Sequence, residues 1–266
     1  MTLDFVLHDA VLLAIQASLV GLVGAGIPRW LRRYATARWA LVLPLSIAVV
    51  VGAIALLPDV ADVLTWVALI LVPPVAALAL GWAMRGARPP LALLAAPLLA
   101  LAWASQTSAA GELAGAVLAA LSCVTLGRLL AGAAPGPWLK AGIVAMAVVD
   151  AVLVFSQNLQ QPNAVLNAAV PAPGLPQLQY LDLHYASMGY GDVFVAGVLG
   201  GVLATEGRKQ WPVAILVFVL AALWDLLFLL DSINTLPATV PIAAALILVE
   251  VRPWLTRRRP GISSVS

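Results

Sequence analysis

The chain has 266 residues, of which 63% are hydrophobic and 10% are charged, and its formal net charge is +2. A water-soluble domain cannot bury so much apolar surface and a disordered chain contains far less of it, so both classes are excluded. The small net charge argues against a nucleic-acid partner, and the single cysteine, Cys123, excludes an intrachain disulfide and a cysteine-based metal cluster.

Nine apolar runs follow one another along the chain, separated by charged residues and prolines. Most of them approach the roughly 20 residues that a membrane-spanning helix needs, so lipid is the predicted solvent. Backbone groups in lipid must pair within their own segment, which favours helices. The predicted fold class is therefore an all-α polytopic membrane protein with nine transmembrane helices. The predicted spans are Phe5–Ile27, Trp39–Leu57, Val63–Met84, Leu91–Ser105, Leu113–Ala131, Trp138–Phe155, Leu181–Thr205, Trp211–Leu230 and Ile233–Val251.

The basic residues predict the orientation of these spans. All 14 Lys and Arg residues fall on one side of the nine-span arrangement, and the positive-inside rule makes that side cytoplasmic. The N-terminus is then predicted to lie outside and the C-terminus in the cytoplasm. The basic residues are Arg29, Arg32, Arg33, Arg38, Arg85, Arg88, Arg128, Lys140, Arg208, Lys209, Arg252, Arg257, Arg258 and Arg259.

The chain is predicted to form a single membrane domain over residues 1–266. Within it, residues 1–137 form a five-helix scaffold, and residues 138–266 form a four-helix part that carries the candidate catalytic residues. The one long connector, Ser156–Tyr180, lies on the predicted outer side and contains four prolines but no Lys or Arg. The sequence favours an ordinary exposed connector here, with a partly ordered flap beside a site as the alternative.

Three aspartates are predicted to lie deep inside spans, where an acidic side chain is costly and is therefore a candidate for function. At 1.5 Å per residue, Asp150, Asp192 and Asp225 lie about 18, 20 and 21 Å from the cytoplasmic surface, so all three are level. The other nine acids lie at predicted span ends, where a wetted interfacial position is the simpler interpretation: Asp4, Asp9, Asp59, Asp62, Glu112, Asp182, Glu206, Asp231 and Glu250.

Local sequence favours Asp150 and Asp192 as a functional pair. Asp192 ends the stretch Gly189-Tyr190-Gly191-Asp192, and glycines let helices approach closely in lipid and let the chain bend. Asp225 lies among bulky residues, so a buried acid bonded to a neighbouring span, or one that lines a wet crevice, is the favoured interpretation for it.

A pair of close carboxyl groups is suited to acid–base chemistry. Two carboxylates at short range share one proton, because ionising both is costly. The ionised member can activate a water molecule while the protonated member donates to a carbonyl oxygen, and this chemistry needs no metal or cofactor. A proton or ion relay in a transporter is the alternative role for such a pair.

At these residues the chain resembles the presenilin and signal peptide peptidase family of GxGD-type intramembrane aspartyl proteases. Three elements match in order: Asp150 within the sixth span, Gly189-Tyr190-Gly191-Asp192 in the seventh, and Leu236-Pro237-Ala238-Thr239, which is similar to the family's Pro-Ala-Leu motif, at the start of the last. The family also has nine spans. The resemblance implies that Asp150 and Asp192 cleave a substrate's transmembrane segment. The residues implied to shape the site and contact substrate are Gly189, Tyr190, Gly191, Pro237, Ala238 and Thr239.

Two positions depart from the family's pattern. Val149 precedes Asp150 where the family usually has tyrosine, which removes a possible hydrogen-bonding neighbour, and Thr239 replaces leucine, which alters a packing position. Either change is expected to narrow substrate choice or weaken activity. The predicted orientation matches the signal peptide peptidase branch, which implies substrates whose N-terminus is cytoplasmic, such as remnant signal peptides and type II anchors.

The sequence therefore predicts a membrane hydrolase, an intramembrane aspartyl endopeptidase that acts on single-span proteins or signal peptides within the bilayer. Two alternatives remain: a proton- or cation-coupled transporter or channel that uses the intramembrane aspartates, and a catalytically inactive protease-like scaffold. No cofactor, metal or nucleic acid is expected. Twelve arginines against two lysines and the many alanines are typical of a GC-rich bacterial genome, which predicts a location in the bacterial cytoplasmic membrane.

Overall fold

The computed structural model consists mainly of apolar helices, and it describes residues 3–57, 59–157, 159–229 and 235–257. Short turns of tighter or wider helix adjoin four of the helices, at Ala37–Leu41, Ala79–Ala83, Pro89–Leu94 and Leu226–Leu229. The elements in chain order are α1 (Leu3–Leu22), α2 (Arg29–Arg32), α3 (Val42–Leu56), α4 (Val60–Leu78), α5 (Ala95–Ala104), α6 (Ala109–Ala133), α7 (Gly136–Phe155), α8 (Gln160–Ala168), β1 (Tyr180–Leu183), β2 (Ala186–Gly189), α9 (Tyr190–Thr205), α10 (Gln210–Asp225) and α11 (Val240–Arg257).

Within the described residues, six helical segments are long and apolar enough to cross a membrane. Three shorter apolar segments accompany them, at Pro89–Ala104, Tyr190–Thr205 and Val240–Val251. These helices confirm the prediction of a helical membrane protein. The six long segments are Asp4–Leu22, Ala37–Leu56, Val60–Ala83, Ala109–Ala133, Gly136–Phe155 and Gln210–Phe228.

The seventh predicted span is wrong over its first nine residues. The stretch from Leu181 to Gly189 was predicted as helix, but it belongs to an antiparallel hairpin in which β1 pairs with β2. Buried and exposed side chains alternate along both strands, which is the two-residue period of a strand rather than the period of a helix. His184 turns the chain with a φ of 53°, and α9 begins only at Tyr190.

Other predicted boundaries shift for local reasons. The first helix ends at Leu22 instead of Ile27, because the chain leaves the helix to form an antiparallel bridge between Val23 and Met84. The last helix begins at Val240, while the predicted start at Ile233 and the predicted end of the eighth span at Leu230 lie outside the described residues.

The connector predicted at 156–180 contains a helix, α8, which contacts α3 and α4. The connector is mostly exposed along α8, as the sequence favoured, but part of it is folded against α3 and α4.

Helices α6 and α9 form the centre of the molecule. In the most apolar 18-residue stretch of α6, 67% is buried, against 17% to 39% in the corresponding stretches of the other five long segments. The two helices touch through glycines: a Cβ atom on Gly197 of α9 would lie only 2.5 Å from the carbonyl oxygen of Cys123 in α6. Outward-facing side chains such as Val49, Ile70 and Ile215 are exposed, as expected for surfaces in contact with lipid.

Polar contacts collect at two ends of the bundle. Near the end of α6, Arg128 donates to the carbonyl oxygens of Ala25 and Gly26. Near its start, the Oε1 atom of Glu112 lies 3.8 Å from Nδ1 of His184. These contacts lie at opposite ends of α6. We call the end of the bundle around Arg128 the basic end, and the end around Glu112 and His184 the acidic end.

Candidate functional site

Asp150 occupies a buried position on α7. Asp150 is 5% exposed, and its Oδ2 atom accepts a hydrogen bond of 2.6 Å from Oγ1 of the buried Thr239. The backbone N–H of Thr239 faces the same carboxyl group. A carboxyl group in an apolar interior needs such donors, because burial without hydrogen bonds is costly.

Asp192 lies in the first turn of α9, three residues after Gly189, which immediately precedes the helix. The backbone N–H of Gly189 donates to the Asp192 carboxyl group, so the side chain reaches back to the helix start as in a capping box. A Cβ atom on Gly189 would lie 3.0 Å from Asp192 Oδ2. The first glycine of the motif thus leaves room for the carboxyl group.

The two carboxyl groups interact electrostatically across α7 and α9, which contact each other. The two helices contact each other near Gly191, where an added Cβ atom would lie 3.6 Å from Cε of Met146. Asp150 is buried and Asp192 is partly exposed. The Asp192 carboxyl group itself is enclosed by surrounding protein atoms.

Tyr190, between the two glycines of the motif, points to α6 rather than to the aspartates. Its hydroxyl group lies 2.6 Å from Oγ of Ser122, which itself donates to the carbonyl oxygen of Ala119. Since the Ser122 hydrogen is already used, Tyr190 is the donor in this pair. Tyr190 thus anchors the start of α9 to the central helix.

The Pro237-Ala238-Thr239 stretch forms the turn that leads into α11. The backbone N–H of Val240 donates to the Pro237 carbonyl oxygen over 3.3 Å, and the N–H of Ala243 donates to that of Thr239 over 3.1 Å. Pro237 is buried in this turn, where its missing N–H breaks no helical hydrogen bond. The turn brings Thr239 to Asp150.

Gln16 of α1 belongs to this site, although no sequence pattern indicated it. Its Nε2 atom donates to the carbonyl oxygen of Asp192 over 3.4 Å and to that of Ala238 over 3.3 Å. One buried amide group thus touches both the start of α9 and the turn before α11. A single glutamine in an apolar helix follows no known motif, so only the packing of the three segments reveals its position.

Asp225 pairs with an acid other than the two predicted catalytic residues. Its carboxyl group lies within hydrogen-bonding reach of that of Asp9 on α1. The interpretation of Asp225 as an acid bonded to a neighbouring helix agrees with this contact. Asp9, predicted as a wetted interfacial acid, is instead half-buried against α10.

A cavity of about 290 Å³ lies at the acidic end, away from the aspartate pair. Gln106, Glu112, Tyr180 and Asp182 are among the residues that line it. Burial of the Tyr180 ring, together with the charge of Asp182, raises the pKa of Tyr180 to about 12. The Tyr180 hydroxyl donates to Oε1 of Gln177 over 2.8 Å.

Among the described residues, no group of three His, Cys, Asp or Glu side chains is arranged to hold a metal ion. Comparison of the chain with family models, with curated proteins and with solved structures finds no match.

Proposed function

We propose that this protein is an intramembrane aspartyl endopeptidase in which Asp150 and Asp192 form the catalytic pair. The observation that carries the proposal is the electrostatic interaction between these two carboxyl groups on neighbouring apolar helices, with Thr239 of the third motif hydrogen-bonded to Asp150. Three stretches far apart in the chain thus converge at one point, in the combination that the resemblance implies.

The proposed reaction is hydrolysis of a peptide bond by a pair that holds one proton. The ionised carboxylate removes a proton from a water molecule, whose oxygen attacks the peptide carbonyl carbon, while the protonated carboxyl donates to the carbonyl oxygen. The resulting diol then loses a proton to the pair, the peptide nitrogen gains one, and the C–N bond breaks. The pair ends with one proton, as it began.

The hairpin before Asp192 supports a route for water. The 16 residues of α9 span about 24 Å at 1.5 Å per residue, which is less than the roughly 30 Å of a hydrocarbon core. Strands β1 and β2 therefore begin inside the membrane boundary in the proposed arrangement. Non-helical backbone at such depth is tolerated where it is buried in protein or lines a water-filled cavity, and hydrolysis requires such water.

The proposed topology has nine spans, with the N-terminus outside and the basic end in the cytoplasm, in a bacterial cytoplasmic membrane. It counts the three shorter apolar segments together with the six long ones. This is the orientation of the signal peptide peptidase branch, so the proposed substrates are remnant signal peptides and single-span proteins whose N-terminus is cytoplasmic.

A transporter or channel is the second candidate, and the Asp9–Asp225 contact favours it. Two acid pairs within apolar helices are the kind of groups that proton-coupled transporters use. An inactive protease-like scaffold would keep the same contacts without turnover.

The test is cleavage of a signal-peptide-like substrate by the purified protein in detergent and in liposomes. Asp150→Asn and Asp192→Asn are each expected to lower the rate at least about 100-fold, because each removes one member of the acid–base pair. Asp225→Asn is the matched control and should cleave like the wild type. Unchanged cleavage in either pair variant would refute the assignment, and proton flux in liposomes without cleavage would favour the transporter.

A further inference from the structure

Gln16 links the two polypeptide segments that support the aspartate pair. It is 0% exposed on α1, and its Nε2 atom lies between the carbonyl oxygens of Asp192 and Ala238. Ala238 precedes Thr239, the donor to Asp150. The Gln16 amide therefore contacts the backbone of Asp192 directly. It reaches Asp150 indirectly, through the backbone of Ala238 and the side chain of Thr239.

The carbonyl oxygen of this amide has no hydrogen-bond partner within the described part of the chain. Gln16 Oε1 is buried and accepts no hydrogen bond from the residues that the structure describes, which is costly for an acceptor in an apolar interior. The fold satisfies another buried amide completely: Gln210 donates to the carbonyl oxygens of Val23 and Gly200, and its Oε1 accepts from Arg85, all at 2.9 Å.

The unpaired acceptor calls for a donor that the described residues do not supply. Since Oε1 and Nε2 belong to one amide group, Oε1 lies in the same gap between the start of α9 and the turn before α11. A transmembrane substrate must be unwound before its peptide bond can be attacked, and unwinding frees backbone N–H groups that have few acceptors in lipid.

We infer that Gln16 is a positioning and substrate-binding residue of this site. Its NH₂ group holds the start of α9 and the Pro237–Thr239 turn at a fixed spacing, and its Oε1 atom accepts a hydrogen bond from a backbone N–H of the unwound substrate. This inference rests on the proposed function and adds a contact that acts on the substrate's main chain, independent of its side chains.

The first experiment compares Gln16→Met with Gln179→Met in the full-length protein. Gln179 is a matched control, because it is 7% exposed, its Nε2 donates to the Leu166 and Ala169 carbonyl oxygens, and its Oε1 also accepts nothing from the described residues. It lies in the segment after α8, outside the site. Both variants should lose similar thermal stability, whereas kcat/KM should fall about tenfold or more in Gln16→Met alone, as for the loss of one or two hydrogen bonds.

The second experiment detects the substrate contact directly. A series of substrates has one backbone N–H near the cut site replaced by an ester oxygen, away from the cleaved bond itself. With the wild type, one position should lower kcat/KM about tenfold, and with Gln16→Met the same ester should cause no further loss. Gln16→Glu keeps the length and an acceptor oxygen. It should retain the ester effect but lower kcat/KM, because it lacks the NH₂ group that bonds the Asp192 and Ala238 carbonyl oxygens. If Gln16→Met fails to fold, an unchanged kcat/KM in Gln16→Glu overturns the positioning role.

The outcomes separate this inference from the proposed function. Cleavage by Gln16→Met equal to that of Gln179→Met, or an ester effect that persists in Gln16→Met, overturns the role of Gln16 even when the aspartate variants are inactive. A wild-type protein that cleaves none of the substrates overturns both proposals together.

Discussion

Thr239 supplies the polar support of Asp150. Its hydroxyl donates to Asp150 Oδ2 over 2.6 Å, and hydrogen bonds to a charged acceptor are stronger than those between neutral groups. The leucine that the resembled family has at this position offers no donor, and neither does Val149 beside the aspartate. The two departures from the family's pattern are thus complementary, because the hydroxyl of one restores a polar neighbour that the other removes.

Thr239→Val keeps the side-chain shape and removes this hydroxyl. We expect kcat/KM for a signal-peptide-like substrate to fall about 10- to 100-fold, because a hydrogen bond to a charged group contributes about 1.5 to 3 kcal/mol. Thr239→Ser is the control, since it keeps the donor and should remain close to the wild type. Equal activity of the valine and wild-type proteins would show that the hydroxyl has no part in the reaction.

Side chains differ in how far the sequence alone reveals them. Asp150 and Asp192 could be selected because a carboxyl group within a long apolar run is expensive to bury and so calls for a reason. Gln16 is neutral and matches no spacing, and its contacts depend on three segments that only the folded chain brings together. Thr239 was predicted to help shape the site, but its hydrogen bond to Asp150 was not, because the direction in which a turn residue points depends on the neighbouring helix.

Helix α9 is held between two helices at very close range. Besides the approach of Gly197 to α6, a Cβ atom on Gly200 would lie 2.8 Å from the Val20 carbonyl oxygen of α1. Van der Waals contact between closely packed backbones is a main source of helix association in lipid. The glycines of α9 therefore fix the helix whose first turn carries Asp192.

Gly197→Ala tests this packing. The added Cβ atom would lie 2.5 Å from the Cys123 carbonyl oxygen, so the helices must separate, and we expect the protein to lose about 1 to 3 kcal/mol of stability. Cleavage should fall as well, because a shift of α9 also displaces Asp192. The measurement is thermal unfolding in detergent, with cleavage followed in parallel.

Gly52→Ala on α3 is the control for helix propensity. Its added Cβ atom meets nothing within 4 Å among the described residues, and alanine is favoured over glycine in a helix by about 1 kcal/mol. Its stability should stay equal or rise. Should Gly197→Ala unfold at the same temperature as Gly52→Ala, the close contact between α6 and α9 is not important for stability.

At the level of elements, long apolar runs were easier to predict than the segment that carries the site. The strand pattern was present in the sequence, since Leu181 and Leu183 alternate with Asp182 and His184. This strand pattern is continuous with the apolar run of α9, however. The two were therefore predicted together as one helix long enough to span the membrane. The hairpin is stabilised by pairing between its strands and by contacts with α1 and α6, which a pattern along the chain does not contain.

The whole molecule separates its charges between two ends. At the basic end, Lys140 contacts Glu206 and Glu250, and Arg208 contacts Glu250 as well. At the acidic end, Glu112, Asp182 and His184 lie around the hairpin and the start of α6. The predicted alternation of spans rests on the same separation of charges along the sequence.

The proposed orientation predicts which end reacts with a reagent that cannot cross the membrane. Cys123 is the only cysteine and is buried, so the wild type should remain unlabelled by an impermeant maleimide, and single cysteines can be added without removing it. Thr107 at the acidic end and Ala35 at the basic end are both exposed. In spheroplasts, Thr107→Cys should be labelled directly, because the positive-inside rule puts the basic end in the cytoplasm. Ala35→Cys should be labelled only after permeabilisation, and the reverse pattern would invert the topology and with it the proposed choice of substrates.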